Sequence, residues 1–174
     1  MVKLKSNKGI LSERDESVFF ITLKHSRRRN ALSLEKLVTL SNEIDSFTKD
    51  SALRVLVIQA EGPVFSAGHD LYEIKDGTSE DHSKLFDQCA KTMEQIRTTP
   101  KPVIASVDGL ATAAGCQLVA TCDIAIASTD SQFATPGVNV GLFCTMPGVA
   151  LSRAIPKKKA LDMMLTGEPI GAEE

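Results

Sequence analysis

The amino-acid sequence predicts an α/β fold in which helices cover a parallel sheet. Two observations carry this prediction. Short apolar, β-branched segments alternate with longer segments whose apolar residues recur every three or four positions. The short segments are also nearly free of polar residues, as strands are when both faces of a parallel sheet are covered. A chain of 174 residues suits one compact domain better than two full ones.

The predicted elements follow each other along the chain in strand and helix alternation. A strand at 17–23 is followed by a helix that Ser33 caps and that runs through Asp50, because Ser accepts from the first free amides of a helix. The remaining predicted strands are 54–60, 103–107 and 123–127; the remaining helices are a short turn at Leu71 and residues 80–97, 112–122 and 160–165.

The two ends of the chain are predicted to differ from the core: the N-terminal end is an extension, and the core is truncated at the C-terminal end. Residues 1–16 are predicted to be a poorly ordered N-terminal extension, and the core is predicted to span 17–174. Lys3, Lys5 and Lys8 make this segment basic, but no apolar region follows, so no transit peptide is visible. Residues 172–174 resemble the opening turn of another helix, which predicts a core truncated at its C-terminus.

Composition excludes several classes of protein. The formal net charge is −2, which argues against nucleic-acid binding through bulk electrostatics. Residues 109–122 carry no charge but are too few to span a bilayer, which needs roughly 20 residues, so no membrane span is predicted. The four cysteines form no CxxC pair and have no nearby His at ligand spacing. Reduced, mostly buried thiols and no metal site are therefore predicted, which suits an intracellular compartment.

Two loops rich in small residues follow predicted strands. Residues 65–71 (FSAGHDL) come after the strand at 54–60, and residues 109–118 (GLATAAGCQL) come after the strand at 103–107. The carboxyl edge of a parallel sheet is where ligands bind, and the first amides of a helix are unpaired donors. Two such amides directed at one point would form an oxyanion hole. Taken singly, each loop is better explained by close packing of a helix on the sheet.

Five motifs in order resemble the crotonase family of enoyl-CoA hydratases and isomerases. They are Asn30-Ala31-Leu32 and the residues at 65–71, 108–123, 133–136 and 165–167. The resemblance implies a spiral of ββα units that lacks its C-terminal helical portion, and it implies binding of an acyl-CoA thioester. Coenzyme A would enter only as part of the substrate, with no separate cofactor.

The resemblance also implies the residues of the site. The backbone amides of His69 and Ala114 would form the oxyanion hole, although Ala114 replaces a family glycine. Arg27 and Arg28 would pair with the phosphates of coenzyme A, the alternative being a solvated basic turn. The acyl-CoA would further contact the loop residues Ala67, Gly68, His69, Asp70 and Leu71.

Both catalytic carboxylates of the family are absent. Gln117 and Gly137 occupy the positions at which family hydratases carry Glu. A neutral Gln can orient water but cannot take up its proton, and Gly offers no side chain. His69 as a catalyst is second to a role in specificity or packing, and Asp70 is a better loop anchor than base. Cys116 and Cys144 are expected to be buried thiols, and Asn139 could orient a water.

The leading hypothesis is an acyl-CoA-binding protein of lipid metabolism whose hydratase activity is weak, altered or absent. If it is active, it would be a lyase of the enoyl-CoA hydratase type or a related isomerase or hydrolase. The alternatives are a noncatalytic regulatory subunit and an inactive truncated isoform. The family also implies trimers or hexamers of the full-length protein, hetero-association with relatives, and a mitochondrial location. The truncated chain is expected to expose apolar faces and to associate.

Overall fold

The structure is a computed structural model, which describes residues 5–174. Its strands are β1 (Lys5–Asn7), β2 (Ile10–Asp15), β3 (Val18–Leu23), β4 (Val55–Ala60), β5 (Val64–Ser66), β6 (Val103–Val107), β7 (Leu110–Thr112), β8 (Ile124–Ala127), β9 (Gln132–Ala134) and β10 (Ile170–Gly171). Its α-helices are α1 (Leu34–Lys49), α2 (Leu71–Asp76), α3 (Ser79–Thr98), α4 (Ala114–Thr121), α5 (Thr145–Ala154) and α6 (Lys157–Thr166). Two short 3₁₀ helices lie at Ser26–Arg28 and Pro136–Val140.

The strands form two sheets. The large sheet has the order β1-β2-β3-β4-β6-β8; it is antiparallel from β1 to β3 and parallel from β3 to β8. The small sheet has the order β10-β9-β7-β5, in which β5, β7 and β9 run parallel. From β4 on, the chain repeats a strand of the large sheet, a strand of the small sheet and a helix. The predicted α/β class and the ββα spiral are confirmed.

The core lies between the large sheet and the long helices α1 and α3. Ser33 caps α1 by accepting from the Lys36 amide at 3.2 Å, as the sequence predicts. Thr78 and Asp81 cap α3 reciprocally. Leu37, Leu40, Ile44 and Phe47 of α1 are fully buried in the core, whereas Val38 is exposed. These contacts make the hydrophobic effect the main force that holds helix to sheet.

The structure describes residues 5–16 of the segment 1–16, which the sequence predicts to be a poorly ordered extension. Residues 5–15 form β1 and β2, and Ile10 is buried in the core. The hairpin turn is made by Lys8 and Gly9, whose φ angles of +49° and +77° suit the tight turn that matches the twist of the strands. Residues 1–4 lie outside the described residues. At the other end, residues 172–174 form a turn after β10 and no helix.

Several large apolar side chains are exposed among the described residues. Ile124 and Ile126 project from β8, which is the last strand of the large sheet. Val140, Leu142 and Leu165 are exposed on the 3₁₀ helix at 136–140, on the loop that follows it and on α6. Exposed apolar side chains on an edge strand favour contact with another surface. The association expected from the sequence stays a prediction. No helix among the described residues is long and apolar enough to cross a membrane.

Candidate functional site

The parallel pairing of β5 with β7 brings the two small-residue loops to one edge of the small sheet. Val64 lies opposite Leu110, and Ser66 lies opposite Ala111. Each strand ends at that edge and leads directly into a helix, β5 into α2 and β7 into α4. The two loops that the sequence singles out are therefore neighbours in space.

The two loops are in close contact at Gly68. This residue has a φ of +85°, and a Cβ atom at its position would lie 2.8 Å from the Cβ of Ala113 and 3.1 Å from the amide nitrogen of Ala114. Any larger residue would push the loops apart. Gly115, on the second loop, allows a similar close contact, because a Cβ atom at its position would lie 2.4 Å from the Ser66 carbonyl oxygen. The Gly68–His69 peptide therefore lies beside the start of α4.

The Ala114 amide is an unpaired donor by its place in the helix. Ala114 is the first residue of α4, whose N-cap, Ala113, offers no side-chain acceptor. The first amides of a helix have no intrahelical partner and carry partial positive charge. Together with the contact at Gly68, this supports an oxyanion hole, while the convergence of the His69 and Ala114 amides on one point stays a prediction.

The Asn30 side chain holds the loop around β5 in place through hydrogen bonds. Its Oδ1 accepts from the His25 amide at 2.7 Å, and its Nδ2 donates to the carbonyl oxygens of Glu61 at 2.9 Å and Val64 at 2.8 Å. Asn30 is fully buried with a φ of +51°, a conformation that Asn tolerates better than most residues. The sequence analysis used Asn30 only as part of a motif and assigned it no role.

Further bonds connect the Asn30 turn to the Gly68 loop. The Ala67 amide donates to the Arg29 carbonyl at 2.9 Å, and the Leu32 amide donates to the Gly68 carbonyl at 2.7 Å. Ser66 Oγ donates to the Asn30 carbonyl oxygen at 3.0 Å. Ala67 and Gly68, both predicted to contact acyl-CoA, are thus held rigidly at the edge of the small sheet.

Buried polar atoms without a partner gather at this edge. Among the described residues, His69 Nδ1, Thr112 Oγ1, Gln117 Oε1 and Thr135 Oγ1 are buried and accept or donate no hydrogen bond within the protein. Thr112 ends β7, while His69 and Thr135 follow β5 and β9. Unsatisfied buried groups are rare in native proteins and concentrate where a ligand acts. Thr112 and Thr135 are not among the residues predicted from the sequence, because the short strands that place them are not predicted either.

The His69 side chain packs against α3. Its ring meets the ring of Phe86 on α3 edge to face, with a centroid distance of 5.2 Å. Burial lowers the pKa of His69, with a smaller opposing effect from the Leu32 backbone, so the ring is neutral at pH 7. The contact with Phe86 agrees with the packing role that the sequence analysis preferred to catalysis.

Asp70 anchors its loop, as predicted. It caps α2 by accepting from the Tyr72 amide at 3.0 Å, and it accepts from Arg28 at 3.2 Å. The Arg28 guanidinium also lies 4.7 Å from the centre of the Tyr72 ring. Both of these acceptor roles leave Asp70 poorly placed to act as a base.

Arg28 and Asp70 line a cavity of about 880 Å³ together with the ends of α1, α2 and α3. Arg27, on the same 3₁₀ turn, is exposed and is not among the residues that line this cavity. Leu71, the first residue of α2, is also exposed, so an extended ligand could lie across it. The structure therefore favours Arg28 over Arg27 as a ligand-binding cation.

Gln117 lies on the same face of α4 as Ala114, three residues further along. Side chains on a helix lean toward its N-terminus, so Gln117 leans toward the Ala114 amide. It is 6% exposed, and it lines a largely apolar cavity of about 940 Å³ between α3, α4 and α5. Neither His69 nor Ala114 lines this cavity, so a role of Gln117 toward a molecule held at the start of α4 stays a prediction.

Gly137 is closed to side chains. A Cβ at this position would lie 2.1 Å from the Leu142 carbonyl oxygen and 2.7 Å from Cys144 Sγ. The chain from 137 to 144 folds back on itself here, and the Leu142 amide donates to the Gly137 carbonyl at 2.9 Å. A carboxylate side chain at position 137 would therefore have no room in this backbone arrangement.

The other candidates have mainly structural places. Burial raises the pKa of Cys116 to about 12, so it is a thiol at neutral pH as predicted; Cys144 is only half-buried. Asn139 is exposed and lies against Gly167, whose Cβ would be 2.8 Å from its Nδ2. No group of three or more His, Cys, Asp or Glu side chains that could hold a metal ion occurs in residues 5–174.

Comparison with known proteins identifies the family. Residues 13–174 match the family model described as enoyl-CoA hydratase/isomerase. The chain therefore belongs to the enoyl-CoA hydratase/isomerase family, also called the crotonase family.

Individual relatives include proteins named enoyl-CoA hydratase domain-containing protein 3, mitochondrial. The mouse protein is 57% identical over 155 residues, which are 88% of this chain and 52% of the mouse protein. A probable enoyl-CoA hydratase of Bacillus subtilis is 36% identical, over 92% of this chain and 62% of that protein. The crystal structure of human enoyl-CoA hydratase domain-containing protein 3 superposes with a TM-score of 0.93 at 52% identity, over 96% of this chain and 66% of the human chain. The chain spans about half the length of the mouse relative.

We expect Asn30→Ala to lower the free energy of unfolding by about 3 kcal/mol. It removes three part-buried hydrogen bonds, to the backbone of His25, Glu61 and Val64, each worth about 1 kcal/mol. Urea unfolding would measure the change, with Asn42→Ala as the matched control, because Asn42 is exposed on α1. A variant within about 0.5 kcal/mol of the wild type would show that the network contributes nothing.

We expect Ala113→Gly to stabilise the protein by about 1 kcal/mol. Ala113 has φ +52° and ψ −121°, which is glycine's conformation in a type II′ turn and costs other residues about 1–3 kcal/mol. This relief exceeds the entropy that Gly adds to the unfolded chain, about 0.4–1 kcal/mol. The control is Ala52→Gly, at an exposed turn without positive φ, which should destabilise. Equal losses at both positions would contradict the strain at Ala113.

Proposed function

We propose that this chain forms the acyl-CoA-binding core of a mitochondrial crotonase-family protein that acts in lipid metabolism. The thioester carbonyl would lie at the carboxyl edge of the small sheet, where the amides of His69 and Ala114 polarise its oxygen. The observation that carries this proposal is the contact at Gly68, which holds the two loops with their backbones touching. In the complete protein the core would assemble into a trimer or hexamer, with itself or with family relatives.

The chemistry that such a hole supports is stabilisation of negative charge on a carbonyl oxygen. When the carbon next to a thioester loses a proton, the charge moves to this oxygen, and two amide donors lower the energy of the resulting enolate. Hydration needs a further group that activates water and one that delivers a proton. Gln117 can only hold water by a hydrogen bond, and Gly137 has no side chain. Hydration by the wild-type chain should therefore be weak or absent.

The binding proposal is tested by removing one amide donor. Ala114→Pro deletes the N–H at the first position of α4, a position that proline tolerates in helices. A 3-oxoacyl-CoA is a suitable probe, because its enolate places negative charge on the thioester oxygen and absorbs in the ultraviolet. The wild type should bind it and increase the enolate absorbance, and the variant should lose roughly 10²-fold in enolate formation.

Ser79→Pro is the matched control, since Ser79 is the exposed first residue of α3 and lies on another helix. Circular dichroism of both variants checks that their helices form. If the wild type and Ala114→Pro produce the same enolate absorbance, the Ala114 amide does not contribute to an oxyanion hole. If the wild type binds no acyl-CoA, the proposed function fails as a whole.

A noncatalytic binding or regulatory subunit is the second candidate function, and the closed backbone at Gly137 favours it. Gln117→Glu separates the two candidates, because it restores one acid without crowding the 137–144 segment. If the site retains catalytic geometry, this variant should hydrate an enoyl-CoA at least tenfold faster than the wild type. Gln117→Leu is the control and should show no gain. Unchanged hydration with intact acyl-CoA binding would support the noncatalytic role.

A further inference from the structure

The direction of the His69 amide depends on Gly68, which belongs to the most flexible residue type. Gly68 has a φ of +85°, and a glycine has many other conformations open to it. A peptide group is planar and trans, so the direction of the Gly68 carbonyl fixes the direction of the His69 N–H. The orientation of this donor is therefore set by whatever holds the two peptide groups on either side of Gly68.

The peptide group after Gly68 is held by Leu32. The Leu32 amide donates to the Gly68 carbonyl oxygen at 2.7 Å, and Leu32 forms an isolated parallel bridge with His69. Because the N–H and the C=O of a trans peptide point in opposite directions, the His69 N–H points away from Leu32. Within residues 5–174 this N–H donates to no acceptor, so it is available to a ligand.

The peptide group before Gly68 is held by the side chain of Ser66. Ser66 is fully buried, and its Oγ accepts from the Gly68 amide at 3.3 Å while it donates to the Asn30 carbonyl oxygen at 3.0 Å. A hydroxyl can make both bonds at once, because it has one proton and two lone pairs. The Ser66 hydroxyl thus ties the Gly68 amide to the turn that Asn30 holds in place.

Ser66 also packs against the second loop, at the start of α4. A Cβ atom at Gly115 would lie 2.7 Å from the Ser66 Cβ and 2.9 Å from its Oγ. Gly115 directly follows Ala114, whose amide is the second donor of the proposed oxyanion hole. One buried side chain therefore lies against both loops that supply a donor.

An irregularity in β5 brings Ser66 to this position. Val64 lies opposite Leu110, but Ser66 lies opposite the next residue of β7, Ala111, so β5 has one more residue than β7 between these two pairs. Such β-bulges change the direction of the side chains beside them and are common next to functional sites. The place of Ser66 is thus set by the bulge and not by regular strand alternation.

We propose that Ser66 is a positioning residue of the oxyanion hole: its hydroxyl fixes the peptide group before Gly68 and thereby the direction of the His69 N–H. This inference rests on the proposed function, because Ser66 can position the donor only if the donor binds a thioester oxygen. Ser66 is fully buried and would not touch the acyl-CoA itself.

Loss of the Ser66 hydroxyl should affect the charge on the bound ligand more than the affinity for it. Binding of the neutral ligand draws on contacts along the whole acyl-CoA, whereas a misdirected amide weakens the stabilisation of negative charge at one oxygen. The two effects can be separated by measuring binding and enolate formation independently.

The test compares Ser66→Ala with the wild type and uses a 3-oxoacyl-CoA as the probe. With the ligand saturated by protein, the ultraviolet absorbance of the enolate gives the pH at which half of the bound ligand is enolate. Ser66→Ala should raise this pH by about one unit, a loss of roughly tenfold in enolate stabilisation. The dissociation constant of the neutral ligand should change by less than about threefold. Ser66→Cys keeps a weak donor and acceptor and should lose about threefold in enolate stabilisation.

Ser131→Ala is the matched control. Ser131 is also buried, and its Oγ donates to the Val107 carbonyl oxygen at 3.1 Å and shares a hydrogen bond with Ser128 Oγ at 2.8 Å. It precedes β9, so it lies at the opposite edge of the small sheet from the site. Both substitutions remove two hydrogen bonds and should lower the melting temperature alike, but only Ser66→Ala should raise the pH of half enolisation.

An unchanged pH of half enolisation in Ser66→Ala would overturn the proposal and leave the oxyanion hole standing. Equal shifts in Ser66→Ala and Ser131→Ala would also overturn it, because the effect would then be one of general stability. Should Ser66→Ala fail to fold, Ser66→Cys decides in its place by the same comparison. A wild type that forms no enolate removes the proposed function, and the role of Ser66 with it.

Discussion

The candidate site depends on the close approach of two backbones at Gly68. The Gly68 loop and the start of α4 touch without an intervening side chain, and this is possible only because residues 68 and 115 are glycines. Three side-chain bonds from Asn30 and the backbone bonds of Ala67 and Leu32 hold the first loop in place. The parallel pairing of β5 with β7 holds the second. An oxyanion hole built from main-chain amides needs this rigidity, because its donors have no side-chain freedom with which to adjust.

The same constraint explains why the site tolerates unusual side chains. Amide donors survive any substitution except proline, so the Ala114 side chain leaves the N–H of that position in place. Conformational strain occurs at the preceding residue, Ala113, which adopts a glycine-like φ of +52°. A catalytic group on a side chain, unlike a backbone amide, is lost when its residue is replaced. At Gly137 the backbone has closed against Leu142, so the position is both without an acid and without room for one.

The sequence predicts those helices and strands whose hydrophobic pattern extends over enough residues to be recognised. The helices α1 and α3 and the strands β4 and β6 carry apolar periods or β-branched runs over five or more residues, and the structure confirms them. The strands β5, β7 and β9 have only three residues each, which is too short for a period to be visible. Because these three strands form the small sheet, its edge and the buried Thr112 and Thr135 could not be predicted from pattern alone. The helix α5 was missed because Pro147 and Gly148 lie in its first turn, where proline is tolerated.

The charged residues show a further limit of sequence reasoning. Arg27 and Arg28 are adjacent and equally basic, yet only Arg28 lies at the cavity, where it meets Asp70 and Tyr72, since a 3₁₀ turn directs successive side chains to different sides. Lys36 follows the Ser33 cap by three residues and reads from the sequence as an ordinary surface lysine of the first helical turn. Its burial arises from the β1–β2 hairpin that packs over it at Gly9, and the N-terminal segment that forms this hairpin was expected to be poorly ordered. A missed hairpin thus concealed a buried charge, because burial is a property of the neighbours and not of the residue.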